Sequence, residues 1–167
     1  CLLDIKNRSK TEKNWVMFSN NSKNYIVYNW FPITICNFDD KQFDKKLTIK
    51  EVEIVKKINS PRLFKYVRGS TNGVNIENEI WFINHIVSHE NQRYYYHMFV
   101  VLDAETLQLK KYSNLFTMQN NRIEYTLGFL FIKEENKFII GYSQNDSNTD
   151  YLCIKRSELD DMMIKLL

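Results

Sequence analysis

The chain has 167 residues, with 23 Lys+Arg against 20 Asp+Glu and a formal net charge of +3. That length fits one domain with a real core, and 44% hydrophobic with 26% charged residues excludes wholesale disorder. No apolar run approaches the roughly 20 residues of a membrane helix, and a charge so near balance argues against a protein built around the DNA backbone. Neither a membrane nor a nucleic acid is expected as partner.

Ala104 is the only alanine, whereas Ile, Val, Tyr, Phe and Thr are abundant and Asn is very frequent. Alanine is the best helix former, β-branched and aromatic residues suit strands, and Asn suits turns. The composition therefore favours a mostly-β chain with many tight turns. Cys1, Cys36 and Cys153 are odd in number and scattered, which reads as reduced thiols in a cytoplasmic setting. They form no zinc-site spacing, and no metal is expected. The sequons at Asn7, Asn20 and Asn145 arise readily by chance in an Asn-rich chain. The start, Cys-Leu-Leu-Asp, carries neither Met nor a secretory signal and is expected to be the start of a fragment.

In chain order, Leu2, Leu3 and Ile5 in residues 1–11 suggest the last strand of a preceding unit. Glu12–Phe18, Tyr25–Trp30, Ile33–Phe38 (ending in Asp39-Asp40) and Glu51–Ile58 then read as four strands with a polar turn at Asn20–Asn24. The same order returns 56 residues on, counting from Glu12 to Arg68: Arg68–Val74, Glu79–Val87, Tyr94–Leu102 and Leu107–Ser113, with a turn at His89–Arg93. A third round offers Ile123–Ile132, Lys137–Ser143 and Tyr151–Lys155. Four short strands recurring at roughly this period are the signature of a β-propeller blade. The expected fold is all-β, a partial β-propeller of about three four-stranded antiparallel blades at residues 12–59, 60–114 and 115–156. Evenly spaced strands in a β-sandwich are the rival reading. Three blades do not close a ring, which again suggests the C-terminal part of a larger propeller. Ser157 with Asp160 resembles a capping box, and Leu159, Met162, Met163 and Leu166 keep helical spacing, so a short C-terminal helix is expected over 157–167.

In a propeller the first strand of each blade lines the central channel. Lys13, Arg68 and Glu124 sit on or beside first strands, and together they suit a polyol or an anion through charge-assisted hydrogen bonds. Equally, Lys13 and Glu124 fit the solvated wall of a channel. Arg68-Gly69-Ser70-Thr71-Asn72-Gly73 allows a backbone to approach a ligand, or is an ordinary bulged strand. His85 and His97 lie inside apolar runs, where hydrogen-bonded core histidines are common. Tyr94, Tyr95 and Tyr96 offer faces for sugar rings and are also good strand residues. Asp146 starts a turn, where Asp is common for local reasons. No nucleophile elbow, P-loop, dinucleotide fingerprint or HExxH is present. Any chemistry here would be acid/base work by carboxylates.

Taken in order, Glu12-Lys13-Asn14-Trp15, Tyr28-Asn29-Trp30-Phe31-Pro32, Arg68-Gly69-Ser70-Thr71, Trp81–His85, Arg93-Tyr94-Tyr95-Tyr96-His97, Ile123-Glu124-Tyr125 and Gly141-Tyr142-Ser143-Gln144-Asn145-Asp146 resemble the five-bladed β-propeller proteins acting on glycans. Within these, the chain looks most like the β-mannoside phosphorylase and hydrolase family and its relatives attached to glycosyltransferases. The resemblance spans residues 12 to 156. It implies that Arg68 contacts phosphate or a substrate oxygen, that His85 and one of Tyr94 or Tyr95 stand beside it, and that Asp146 binds a sugar hydroxyl. It also implies no cofactor, with inorganic phosphate as co-substrate in a phosphorylase and water as the attacking group in a hydrolase. The family's general acid and two of its phosphate-binding arginines belong to earlier blades, expected before residue 1, so the present chain alone is expected to be inactive. The partners implied are a glycan and those N-terminal blades of the same protein. A non-catalytic glycan-binding propeller serving a glycosyltransferase, and a structural interaction propeller, are the alternatives.

Overall fold

The computed structural model describes residues 2–5, 10–38, 49–89 and 92–166. Cys1, the Asn7 sequon, the Asp39-Asp40 strand end and part of the His89–Arg93 turn lie outside them. The described chain is all-β, built from several antiparallel sheets and one parallel strand pair, with one short α-helix. No helix among the described residues is long and apolar enough to cross a membrane.

Strand β1 (Leu2–Asp4) pairs in parallel with β5 (Ile49–Glu51). Between them in sequence, β2 (Val16–Asn20), β3 (Lys23–Trp30) and β4 (Ile33–Phe38) form a meander that β6 (Glu53–Ile58) completes as the first sheet, in the order β2-β3-β4-β6. The β2–β3 turn places Asn21 and Ser22 at φ 48° and 58°, the left-handed pair that matches the twist of a two-residue hairpin. A 3-10 helix (Arg62–Tyr66) leads to β7 (Arg68–Gly69) and β8 (Val74–Ile76), which both pair with β9 (Glu79–Ser88). Strands β10 (Tyr94–Asp103) and β11 (Leu109–Ser113) continue this second sheet. Strands β12 (Glu124–Ile132), β13 (Lys137–Gln144) and β14 (Asn148–Lys155) form the third, with three strands.

The second sheet is covered on both faces, and β9 shows why its sequence is a nearly continuous apolar run. Ile80, Phe82 and Ile86 join Val16, Phe18, Val27 and Trp30 in a core shared with the first sheet. Trp81 and Ile83 join Phe138 and Ile140 in a core shared with the third. A strand buried on both faces needs apolar residues at successive positions rather than alternate ones. At about 25 cal/mol per Å², each fully buried Phe or Ile in these cores contributes roughly 2 kcal/mol. The third sheet is covered on one face only, and Leu127, Leu130 and Tyr151 remain 55%, 49% and 73% exposed.

The C-terminal helix forms, but α1 spans only Arg156–Asp160. Its N-cap is Lys155, whose backbone N–H donates to Glu158 at 2.9 Å, in place of the expected Ser157–Asp160 box. Residues 163–165 are not helical. Strand β15 (Met163–Lys165) pairs antiparallel with β11 and gives the second sheet its outer strand. An eleven-residue helix is marginal on its own, whereas β11 offers an edge of unpaired backbone groups. Leu159 is 1% exposed in the second core, with Met162 and Met163 packed against it, so the helically spaced apolar residues are used by a helical turn and a strand together.

Candidate functional site

Two glycines let the 68–73 segment approach residues 14–18 closely. A Cβ at Gly69 would lie 2.5 Å from the Asn14 carbonyl oxygen and 2.4 Å from Val16 Cγ1, so only glycine lets residues 13–14 cross against β7. Asn14 itself takes φ 62°. At Gly73 a Cβ would meet Phe18 and Phe82 at 2.7 Å, and the Gly73 N–H donates to the Met17 carbonyl at 2.7 Å. Between β7 and β8 the ladder is interrupted. There the Thr71 hydroxyl accepts from the Ile83 N–H at 2.9 Å, and the Thr71 N–H donates to the Ile83 carbonyl at 3.1 Å. The 68–73 segment is thus an interrupted strand whose glycines serve packing between sheets.

That packing opens a cleft of about 190 Å³, lined by Lys13, Tyr28, Asn29, Trp30, Arg68 and Gly69 among others. Lys13 and Arg68 are exposed on it, and no carboxylate lines it among the described residues. Tyr28 donates its hydroxyl to Glu12 at 2.9 Å, and the same carboxylate accepts from Trp15 Nε1 at 3.1 Å. Asn29 is spent on the adjoining turn, accepting from the Trp30 N–H and donating to the Phe31 carbonyl.

Beside the cleft, Arg68 and His85 are direct partners across the β7–β9 ladder. His85 is 3% exposed; its Nδ1 lies 2.7 Å from the Ser70 hydroxyl, and its ring packs against Tyr95 and Tyr125 at 5.7 and 5.5 Å. Burial first, then the positive charges of His97, Arg68 and Lys13, lower its pKa to about 4, which keeps the imidazole neutral at pH 7. His97, opposite His85 on β10, is lowered by burial to about 4 and meets the Thr126 hydroxyl at 3.0 Å. Burial, and then Tyr95, raise the Tyr125 pKa.

The structure thus brings Lys13, Arg68, His85 and Tyr95 together. Tyr94 lies on the opposite face of β10 from Tyr95, as neighbours on a strand do, and is 40% exposed. Glu124 is fully buried, and its two oxygens accept the backbone N–H groups of Met118, Gln119 and Asn121 at 2.6–2.9 Å. It anchors a loop. Asp146 is exposed at the β13–β14 turn with φ 55°. Trp30, quoted in the Tyr28–Pro32 stretch, lines the cleft but is 3% exposed and belongs to the first core. No cluster of three His, Cys, Asp or Glu able to hold a metal occurs among the described residues.

No protein-family model matches the chain. No curated protein matches it either. Among solved structures, the chain is similar to a crystal structure of a glycosyl hydrolase from Bacteroides ovatus, with TM-score 0.57 and 12% identity. The match covers 87% of this chain and 49% of that one, so the chain spans about half the length of that structure. At this identity the likeness concerns the fold.

Proposed function

We propose that the chain is the C-terminal part of a carbohydrate-active β-propeller of the glycoside phosphorylase or hydrolase kind, binding a glycan, with phosphate, at the Lys13–Arg68 cleft. The observation that carries this reading is the grouping of two exposed cations with a neutral, Ser70-bonded His85 and the Tyr95 and Tyr125 rings. Cations and hydrogen-bonded imidazole suit the oxygens of sugars and phosphate, and tyrosine rings suit sugar faces. The fold-level likeness to a glycosyl hydrolase supports it. On this reading Arg68 and His85 steady the incoming phosphate or water, and a carboxylic acid from further blades protonates the glycosidic oxygen. The half-length match and the exposed apolar face around Leu127, Leu130 and Tyr151 support the packing of further sheets there.

The absence of a carboxylate from the cleft lining, among the described residues, favours a second reading: a glycan-binding propeller without catalysis, serving a glycosyltransferase. Incubation of the longest natural form with mannobiose, with and without phosphate, separates the two. Release of a sugar phosphate or free mannose supports the enzyme. Binding by calorimetry with no product supports the binding module, and neither binding nor product refutes both.

A further inference from the structure

The crossing of two backbone segments brings two cations to one mouth. Asn14 and Gly69 pass so closely that a Cβ on residue 69 would lie 2.5 Å from the Asn14 carbonyl oxygen. The residues just before them, Lys13 and Arg68, are both exposed and line the same cleft. The ion pairs among the described residues use Lys110, Lys111, Lys137 and Arg156, and neither Lys13 nor Arg68 is in one. Both charges also reach the buried His85 beside the cleft, with no acidic group among the charges acting on it. This end of the molecule therefore carries an unneutralised positive field that a ligand can enter.

The rest of the lining offers few acceptors. Asn29 is spent on its turn, and Tyr28 gives its hydroxyl proton to Glu12. No carboxylate lines the cleft among the described residues, which leaves the Asn14 amide as the side-chain acceptor. A neutral sugar presents hydroxyls that donate as well as accept, whereas carboxylate and phosphate oxygens only accept. Ammonium and guanidinium groups only donate, and their hydrogen bonds to an anion are roughly twice as strong as those between neutral groups. A donor-rich cleft thus suits an anion better than a ring of hydroxyls alone. Its volume of about 190 Å³ is below the roughly 300–1,000 Å³ of pockets for drug-sized ligands, and so fits one charged sugar unit rather than a chain of them.

We propose that the Lys13–Arg68 cleft selects a sugar that itself carries an anion, a uronic acid or a phosphorylated hexose, whose oxygens accept from both cations. This rests on the glycan-binding reading and names the class of sugar the site prefers. The test is calorimetric titration of the chain with glucuronic acid, mannose 6-phosphate, mannobiose and inorganic phosphate, repeated in Lys13→Gln. At least one of the two charged sugars binds about tenfold more tightly than mannobiose, the tighter of them naming carboxylate or phosphate as the anion, and loses affinity as salt is raised. Lys13→Gln weakens that charged sugar about tenfold and leaves mannobiose within about twofold, with the melting temperature unchanged. Mannobiose binding as tightly as both charged sugars would overturn the proposal and leave the glycan reading standing, as would an anion preference that survives in Lys13→Gln. Inorganic phosphate binding as tightly as mannose 6-phosphate, with glucuronic acid silent, would overturn it in favour of a phosphate site alone. A charged sugar that binds where mannobiose does not would uphold the proposal and sink the neutral-mannoside reading. No binding by any of the four would overturn both.

Discussion

Arg68 and His85 face each other across an antiparallel ladder, and the guanidinium is one of the charges that hold the imidazole neutral. Because His85 and His97 both titrate near 4 in the fold, against about 6.5 when exposed, the unfolded chain binds more protons between those values. Stability is therefore fully present above about pH 6.5 and falls as pH drops toward 4, by on the order of 3 kcal/mol for each fully shifted imidazole. Urea midpoints measured from pH 8 to pH 4 should fall across that window. Replacing both histidines with Gln should flatten the curve, and a wild-type profile already flat would count against their burial as neutral groups.

Gly69→Ala should destabilise by roughly 1–3 kcal/mol, since the added methyl meets a backbone carbonyl that cannot give way. Gly128→Ala is the control: a Cβ there meets nothing within 4 Å, and removing a strand glycine should stabilise by roughly half a kcal/mol. Thermal melting of the pair should show opposite signs.

Glu124→Gln should cost about 2–4 kcal/mol, because an amide nitrogen would face N–H donors that the carboxylate now accepts. Hydrogen exchange at Met118, Gln119 and Asn121 should accelerate more than at β9. Unchanged exchange at these three amides would contradict the anchoring role.

Glu79 sits among three cations: Lys110 at 3.1 Å, Lys111 at 3.2 Å and Arg156 at 3.5 Å. Burial pushes its carboxyl up, but Lys110 and Lys111 outweigh this and hold it below the usual range. The same group accepts from Trp81 Nε1, and Lys111 lies 4.7 Å over that ring. Glu79→Gln leaves the buried Lys111 underpaired and should destabilise by about 3 kcal/mol, measured by urea unfolding at pH 7.

Most strands were legible because several hairpins couple apolar runs to a turn chemistry that tolerates positive φ, as Asn21, Asn136 and Asn145-Asp146 do. The C-terminal segment was not. Helical spacing at Leu159, Met162 and Met163 cannot reveal that β11 has an open edge on which Met163–Lys165 will pair. Within the site, Lys13 and Arg68, which the cleft brings together, were visible as cations at the starts of predicted strands. The role of Glu124 was not, since its carboxylate is consumed by three amides of a neighbouring loop that no local pattern announces.

Whether a glycan binds beside Arg68 is decided by calorimetric titration of mannobiose into the wild-type chain and into Arg68→Ala. Arg68 is exposed, so the substitution should leave the melting temperature within about 2 °C while weakening binding at least tenfold. Equal affinity in the two proteins, or no heat of binding in the wild type, would contradict a glycan site at the Lys13–Arg68 cleft.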